Sequence, residues 1–167
     1  MIAAPAALGA AELRGWRLDD SRFAGSWDSG EGAFRAGGRW NSKGIRVVYA
    51  AVDAATAILE VAVHKSFRVL DTVPHVMTGF LVDMSSDVHV VDPGSVPNPN
   101  WLRPGIPGAG QQSFGDGLIA DHDFVLIPSA VSTHSWNIIF DPVRAAVRYK
   151  LEIQEPFALD TRLHPVI

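Results

Sequence analysis

The chain has no cysteine among its 167 residues, which removes any disulfide argument for secretion and takes thiolate ligands away from a zinc site. Its six histidines show no repeated ligand spacing, so no metal is expected. No apolar run is long enough to cross a bilayer. The opening MIAAPAALGAAE is apolar but carries no basic segment, and Pro5 interrupts it, so it does not read as a secretory signal. Basic clustering is missing too. No two of the fourteen Lys and Arg residues are adjacent, the formal net charge is −4, and the pI is near 5.8. That balance argues against a dedicated duplex binder while leaving room for a local basic cleft around a small anion. The expectations are a cytoplasmic protein with no membrane contact and no direct nucleic-acid partner.

What is present is a globular composition, 47% hydrophobic and 19% charged, in a length that suits one domain with a sizeable core. No internal repeat divides it. Strands are predicted at Leu13–Leu18, Ile45–Ala50, Val76–Met84, Asp87–Val91, Asp123–Ile127 and Val147–Ile153, from alternation or β-branched apolar runs. The segment from Ser26 to Gly38 is rich in glycine and serine and predicts a loop. Asp53 is placed to cap a helix running to about Phe67. From Asp92 to Gly117, five prolines and six glycines predict a long loop. It is either a connector across one end of the sheet or a flap beside a cleft, with Trp101 as a wedge. The fold class is α+β, a single-domain mixed sheet with few helices.

The most informative stretch is GGRWNSKGIRVVYAAVDAATAILE, from Gly37 to Glu60. Glu60 is the one charge between Ala54 and Val63, on a helix apolar nearly all round that ought to be buried. A carboxylate there must be paired with an arginine, hydrogen-bonded, or turned into a cleft. Helical spacing puts Thr56, Glu60 and His64 on one polar stripe. Arg39 sits between Gly38 and Trp40, where the backbone can approach a ligand and a guanidinium presents a planar fork to phosphate. The plainer alternative is a tight turn with Arg39 stacked on Trp40. Tyr49 ends its strand just before the helix, so its ring either lines the Glu60 pocket or belongs to the core. Arg17 is a ligand contact or a strand-edge ion-pair partner. Ser129 follows a strand end, where loops commonly carry site residues, though a simple turn explains it equally.

Taken together these segments resemble the RES family, named for its Arg, Glu and Ser residues, toxins of bacterial type II toxin–antitoxin modules. The resemblance is carried by WR at 16–17, GEGAFRAGGRWN at 30–41, VVYAA at 47–51, AILE at 57–60, VLIPSA at 125–130 and NIIFDP at 137–142, in family order. It spans roughly Gly15 to Pro142. It implies a RES domain over 12–167 with an N-terminal extension over 1–11, an ADP-ribosyltransferase-like fold, and an enzyme that consumes NAD+ as substrate. By position Arg17, Arg39, Tyr49, Glu60 and Ser129 match residues the family places around its NAD+ pocket. Two departures stand out: Trp16 where a tyrosine is usual, and Asp141 where an Asn-Pro is commoner.

Glu60, Arg39 and Tyr49 are accordingly the expected catalytic residues, and Arg17, Arg39, Tyr49 and Ser129 the expected NAD+-binding set. A carboxylate suits the positive charge that develops on ribose as the nicotinamide bond breaks. Arginine forks suit the pyrophosphate. Tyr49 suits stacking on nicotinamide, and Ser129 a bond to its amide or to a ribose hydroxyl. The acceptor of ADP-ribose is water, phosphate or a protein side chain, and the resemblance implies growth arrest and an Xre-family antitoxin that blocks the pocket. Two other readings stand beside this one: an RNase toxin, which the acidic balance disfavours, and a non-catalytic binding module on the same fold.

Overall fold

A computed structural model describes residues 12–163 apart from 102, 104 and 106, so the N-terminal extension expected over 1–11 lies outside the described residues. Seven strands form one sheet in the order β4-β5-β6-β2-β1-β3-β7. They are β1 (Leu13–Asp20), β2 (Val48–Ala51), β3 (His75–Val82), β4 (Val88–Val90), β5 (Phe124–Pro128), β6 (Trp136–Phe140) and β7 (Tyr149–Phe157). The β4–β5 pair is parallel and the other neighbours are antiparallel, so the sheet is mixed as expected. β6, a short apolar WNIIF run, was not anticipated as a strand; it fills the place between β5 and β2 and is buried along most of its length.

Period-two alternation sorts the side chains into two layers. Val48, Ala50, Phe80, Phe124, Leu126, Ile138 and Phe140 meet Leu13 and Trp27 in one cluster. Val125, Ile127 and Ile139 point the other way, with Tyr49 packed beside them. The helices are α1 (Glu31–Ala36), α2 (Ala54–Lys65), α3 (Phe67–Thr72) and α4 (Ala109–Asp121).

Four expectations need correction. The loop expected over 26–38 contains α1, a six-residue helix ended at Gly37, whose positive φ of 73° suits glycine. The helix expected to reach Phe67 stops at Lys65, where Ser66 takes a positive φ of 75° and turns the chain into α3. The loop expected over 92–117 becomes α4 from Ala109 onward. Nor is α2 buried all round. It lies on β1 and β2 with one face, and Leu59 and Val63 remain exposed on the other. Glu60 is half-buried at the margin of that contact.

Candidate active site

The register of three central strands locates the site. Trp16 of β1 stands opposite Ala51 of β2, and Ala51 stands opposite Asn137 of β6. Opposed residues share a face, as do residues two apart, so Trp16, Ala51, Tyr49 and Asn137 lie on one side of the sheet. At one end of this face α2 packs through Ala54, Ile58 and Ala62 around Trp16, Leu18 and Met77. At the other end α4 packs through Phe114, Leu118 and Ile119 on Val125, Ile127 and Ile139. Between the two helices runs a strip over β2 and β6.

Glu60 enters that strip from α2. Its Oε1 accepts from Ser129 Oγ at 2.7 Å and from Asn137 Nδ2 at 2.7 Å. Ser129 is fully buried, and its hydroxyl oxygen accepts from the backbone amides of Val131 at 3.2 Å and Ser132 at 2.9 Å. With two amides pointing at it, the hydroxyl has one proton to give, and it gives it to Glu60. No arginine pairs with Glu60 among the described residues, which removes the simple ion-pair reading. Its Oε2 has no partner among them either.

The helix carrying Glu60 is fixed two turns earlier. The Asp53 side chain accepts from Thr56 N at 2.7 Å and Thr56 Oγ1 at 2.8 Å, the expected N-cap. It also accepts from Ser135 Oγ, just before β6. Burial pushes the Asp53 carboxyl up, but the bonds from Ser135 and Thr56 outweigh it and hold it below the usual range. The expected stripe therefore splits into three fates. Thr56 is buried and bonded to the Asp53 cap, Glu60 faces the strip and His64 faces solvent.

On the far side the Arg39 turn is built around Tyr49. The Tyr49 hydroxyl donates to Asn41 Oδ1 at 2.7 Å and accepts from Trp40 N at 3.1 Å. Burial pushes this hydroxyl well above the ordinary tyrosine range. A Cβ at Gly38 would stand 2.6 Å from both Asn41 Oδ1 and the tyrosine oxygen, so only glycine fits there. α4 clamps the turn from outside. Gln112 Nε2 donates to Gly38 O at 2.9 Å, and Asp116 accepts from Ser42 N at 2.9 Å and Ser42 Oγ at 2.6 Å. Gly115 lets the helix come this close, since a Cβ there would meet the Trp40 carbonyl oxygen at 2.0 Å.

Arg39 Nη1 donates to the Trp101 carbonyl at 2.8 Å, and the other guanidinium nitrogens have no acceptor among the described residues. It borders a cleft of about 190 Å³ lined also by Asn98, Asn100, Trp101, Arg103 and Gln111. Trp101 itself is buried, with its ring 5.5 Å from that of Trp40. It anchors the loop in the core and is not a wedge held out over a cleft.

Arg17 is otherwise employed. Nε and Nη2 each meet Asp19 at 2.8 Å, and Nη1 donates to the Tyr49 carbonyl at 2.7 Å. The β1–β2 ladder has a single register pair, and this bond ties the two strands beyond it. So Glu60 and Ser129 are joined directly, Arg39 and Tyr49 share one turn, and Arg17 reaches Tyr49 through the backbone. Asn137 was not singled out as a site residue, although it opens the NIIFDP motif. Its contact with Glu60 crosses 77 positions, beyond the reach of local spacing.

Residues 14–160 match the RES domain family over nearly the whole chain. The chain belongs to the RES domain family. This RES domain is 31% identical over 135 residues to a Sphingobium protein named Prs ADP-ribosylating toxin, covering 76% of this chain and 81% of that one. It is 28% identical over 153 residues to Toxin Res of Photorhabdus laumondii, covering 89% and 95%. In three dimensions it resembles a chain of the M. tuberculosis MbcT–MbcA toxin–antitoxin complex, with a TM-score of 0.69 at 18% identity over 88% of this chain and 85% of that one. At that identity the likeness speaks for the fold. Among the described residues no helix is long and apolar enough to cross a membrane, and no group of three or more potential metal-ligating side chains occurs.

Proposed function

We propose that this RES domain cleaves the nicotinamide–ribose bond of NAD+ and passes ADP-ribose to an acceptor, acting as a cytoplasmic toxin that arrests growth. One observation carries the reading. Among the described residues Glu60 is anchored through Oε1 alone, with no cationic partner, which leaves Oε2 for the substrate. A structural carboxylate would be expected to find an arginine; a working one is held from behind.

The chemistry suits this arrangement. As the C1′–N bond breaks, its electron pair moves to the ring nitrogen, neutralising the pyridinium and leaving positive charge on C1′ and the ring oxygen. A carboxylate oxygen held beside that charge, or bonded to a ribose hydroxyl, favours the transition state over the ground state. Arg39 retains donors for the pyrophosphate, and Asn98, Asn100 and Gln111 add polar groups to the same cleft. Tyr49 supports the Arg39 turn through its hydroxyl, and its ring borders the strip between the helices. Arg17 holds Tyr49 and β1 together at the floor. Ser129 holds Glu60. The ADP-ribose acceptor is water, phosphate or a side chain of a target protein. The name of the Sphingobium relative supports transfer to protein, and the toxin–antitoxin pairing of the structural neighbour supports an antitoxin partner, here an Xre-family protein covering the pocket.

The test is nicotinamide release from NAD+ by purified protein, with the ADP-ribose product followed by mass spectrometry as phosphate and cell lysate are added in turn. Glu60→Gln is nearly isosteric and should cut release by about 10²-fold or more, the scale of losing one transition-state electrostatic group. Release by the variant at the parent rate would remove Glu60 from the chemistry. No release by folded parent protein under any condition would favour a binding module on the same fold.

A further inference from the structure

We infer that Asn137 is a positioning residue for Glu60, one half of a two-donor clamp that saturates Oε1 and leaves Oε2 as the oxygen that works on the substrate. This rests on the NAD+ cleavage proposed above. A carboxylate oxygen has room for about two hydrogen bonds, and Oε1 receives two, from Ser129 Oγ and Asn137 Nδ2, both at 2.7 Å. The donors come from different elements. Ser129 follows β5 and Asn137 lies within β6, so the carboxylate is held from two neighbouring strands rather than by its own helix. Both donors are held in turn by their neighbours. Ser129 is fixed by two backbone amides, and Asn137 sits in the β6 ladder with Ala51 on one side and Ile127 on the other.

The other end of the amide argues that this donor bond is the reason for the residue. Asn137 Oδ1 is buried and has no hydrogen-bond partner among the described residues. Reversing the amide would set its carbonyl oxygen against the carboxylate and leave the NH₂ orphaned instead, so Glu60 dictates the orientation. Leaving a buried acceptor unpaired costs stability. A residue selected for stability would pair both ends or be apolar. One that satisfies Glu60 at the expense of its own oxygen fits a group kept for function.

The experiment uses the full chain, under conditions where the parent releases nicotinamide. Asn137→Ala should lower kcat by about 10- to 10²-fold, as for loss of one group that preorganises a charge. KM should stay within about threefold, because Asn137 has no reach to the pyrophosphate end. Two readouts separate positioning from mere structure. The dissociation constant for carba-NAD, in which a methylene replaces the ribose ring oxygen, should be unchanged by titration calorimetry, and Tm should not fall. Asn137→Asp keeps the shape but sets a second anion against Glu60. At neutral pH it should be worse than Asn137→Ala, and it should regain activity as the pH falls and the new carboxyl becomes a donor. A parent-like kcat in Asn137→Ala would overturn the inference. So would a loss matched by an equal loss of carba-NAD affinity or of Tm, and so would Asn137→Asp with parent activity at neutral pH. Absence of release by the parent itself would instead count against the NAD+ reading.

Discussion

The two walls of the strip between α2 and α4 are built on opposite plans. On the Glu60 wall both bonds to the carboxylate converge on one oxygen, and the groups behind them are tied to the backbone: amides of Val131 and Ser132 on Ser129, a strand residue, and a helix capped by Asp53. On the Arg39 wall the turn is held firmly by Tyr49, Gln112 and Asp116, but the arginine at its tip keeps one bond among the described residues, to the Trp101 carbonyl. One wall fixes a single atom of charge. The other fixes a platform and leaves the donors at its tip to be taken up. This is the division expected if a small reacting centre must be met at a fixed distance while a larger anionic group is gathered by charge.

The sharpest way to break this comparison is Ser129→Ala. It removes the donor to Glu60 and the acceptor for two buried amides at once, so both kcat and stability should suffer. A fall in kcat of about 10²-fold is expected, with a smaller change in KM, since a rotated carboxylate misplaces the electrostatic group without disturbing the Arg39 side. The check is steady-state nicotinamide release beside a thermal melt. If kcat held while only Tm fell, Ser129 would be a turn residue and the rigid-wall picture would fail on this side.

Gly115→Ala attacks the platform instead. The added methyl would meet the Trp40 carbonyl oxygen at 2.0 Å, and backbone cannot yield as a side chain does, so α4 must lift from the turn. Overpacking of this kind costs about 1–3 kcal/mol, which urea denaturation would read directly. KM should rise with it, because Arg39 rides on the displaced turn. An unchanged midpoint with unchanged KM would mean that α4 does not brace Arg39.

These two sites also show what was legible beforehand. Strands β1, β2, β3 and β5 and the Asp53 cap announce themselves through local pattern, alternation or a β-branched run, or a capping residue before an apolar helix. α1 does not, because six residues are too few to show a period. α4 hides for a more instructive reason. Its AGQQSFGDGLIAD carries Gly110, Gly115 and Gly117, which lower helix propensity and read as loop. Gly115 is there because the helix must touch the Arg39 turn, so the residue that obscures the helix is the one that lets it brace the site. Glu60 was conspicuous as a lone charge in an apolar run. Its partners Ser129 and Asn137, 69 and 77 positions away, meet it through strand order, which no local spacing encodes. The resemblance to the RES family supplied Ser129 in advance, and Asn137 was quoted only as the first letter of a motif.

The mildest test sharpens the comparison from the Arg39 side. Arg39→Lys keeps a positive charge at the tip of the turn but removes the planar fork. The lysine ammonium can still reach the Trp101 carbonyl or an anion, though not both with paired parallel bonds. Loss of one bidentate contact to a pyrophosphate oxygen pair should raise KM about tenfold, roughly 1.4 kcal/mol, while kcat falls little. The same variant should weaken carba-NAD by a similar factor, because the contact is made in the ground state and the transition state alike. Ionic strength gives an independent reading, since salt screens the longer-range attraction between the Arg39 cleft and an anionic ligand. KM of the parent should rise with salt, and kcat, governed by the short hydrogen bonds of the Glu60 clamp, should stay nearly flat. Should Arg39→Lys instead lower kcat at constant KM, the arginine would belong with Glu60 at the reacting centre, and the two walls would be a single constellation.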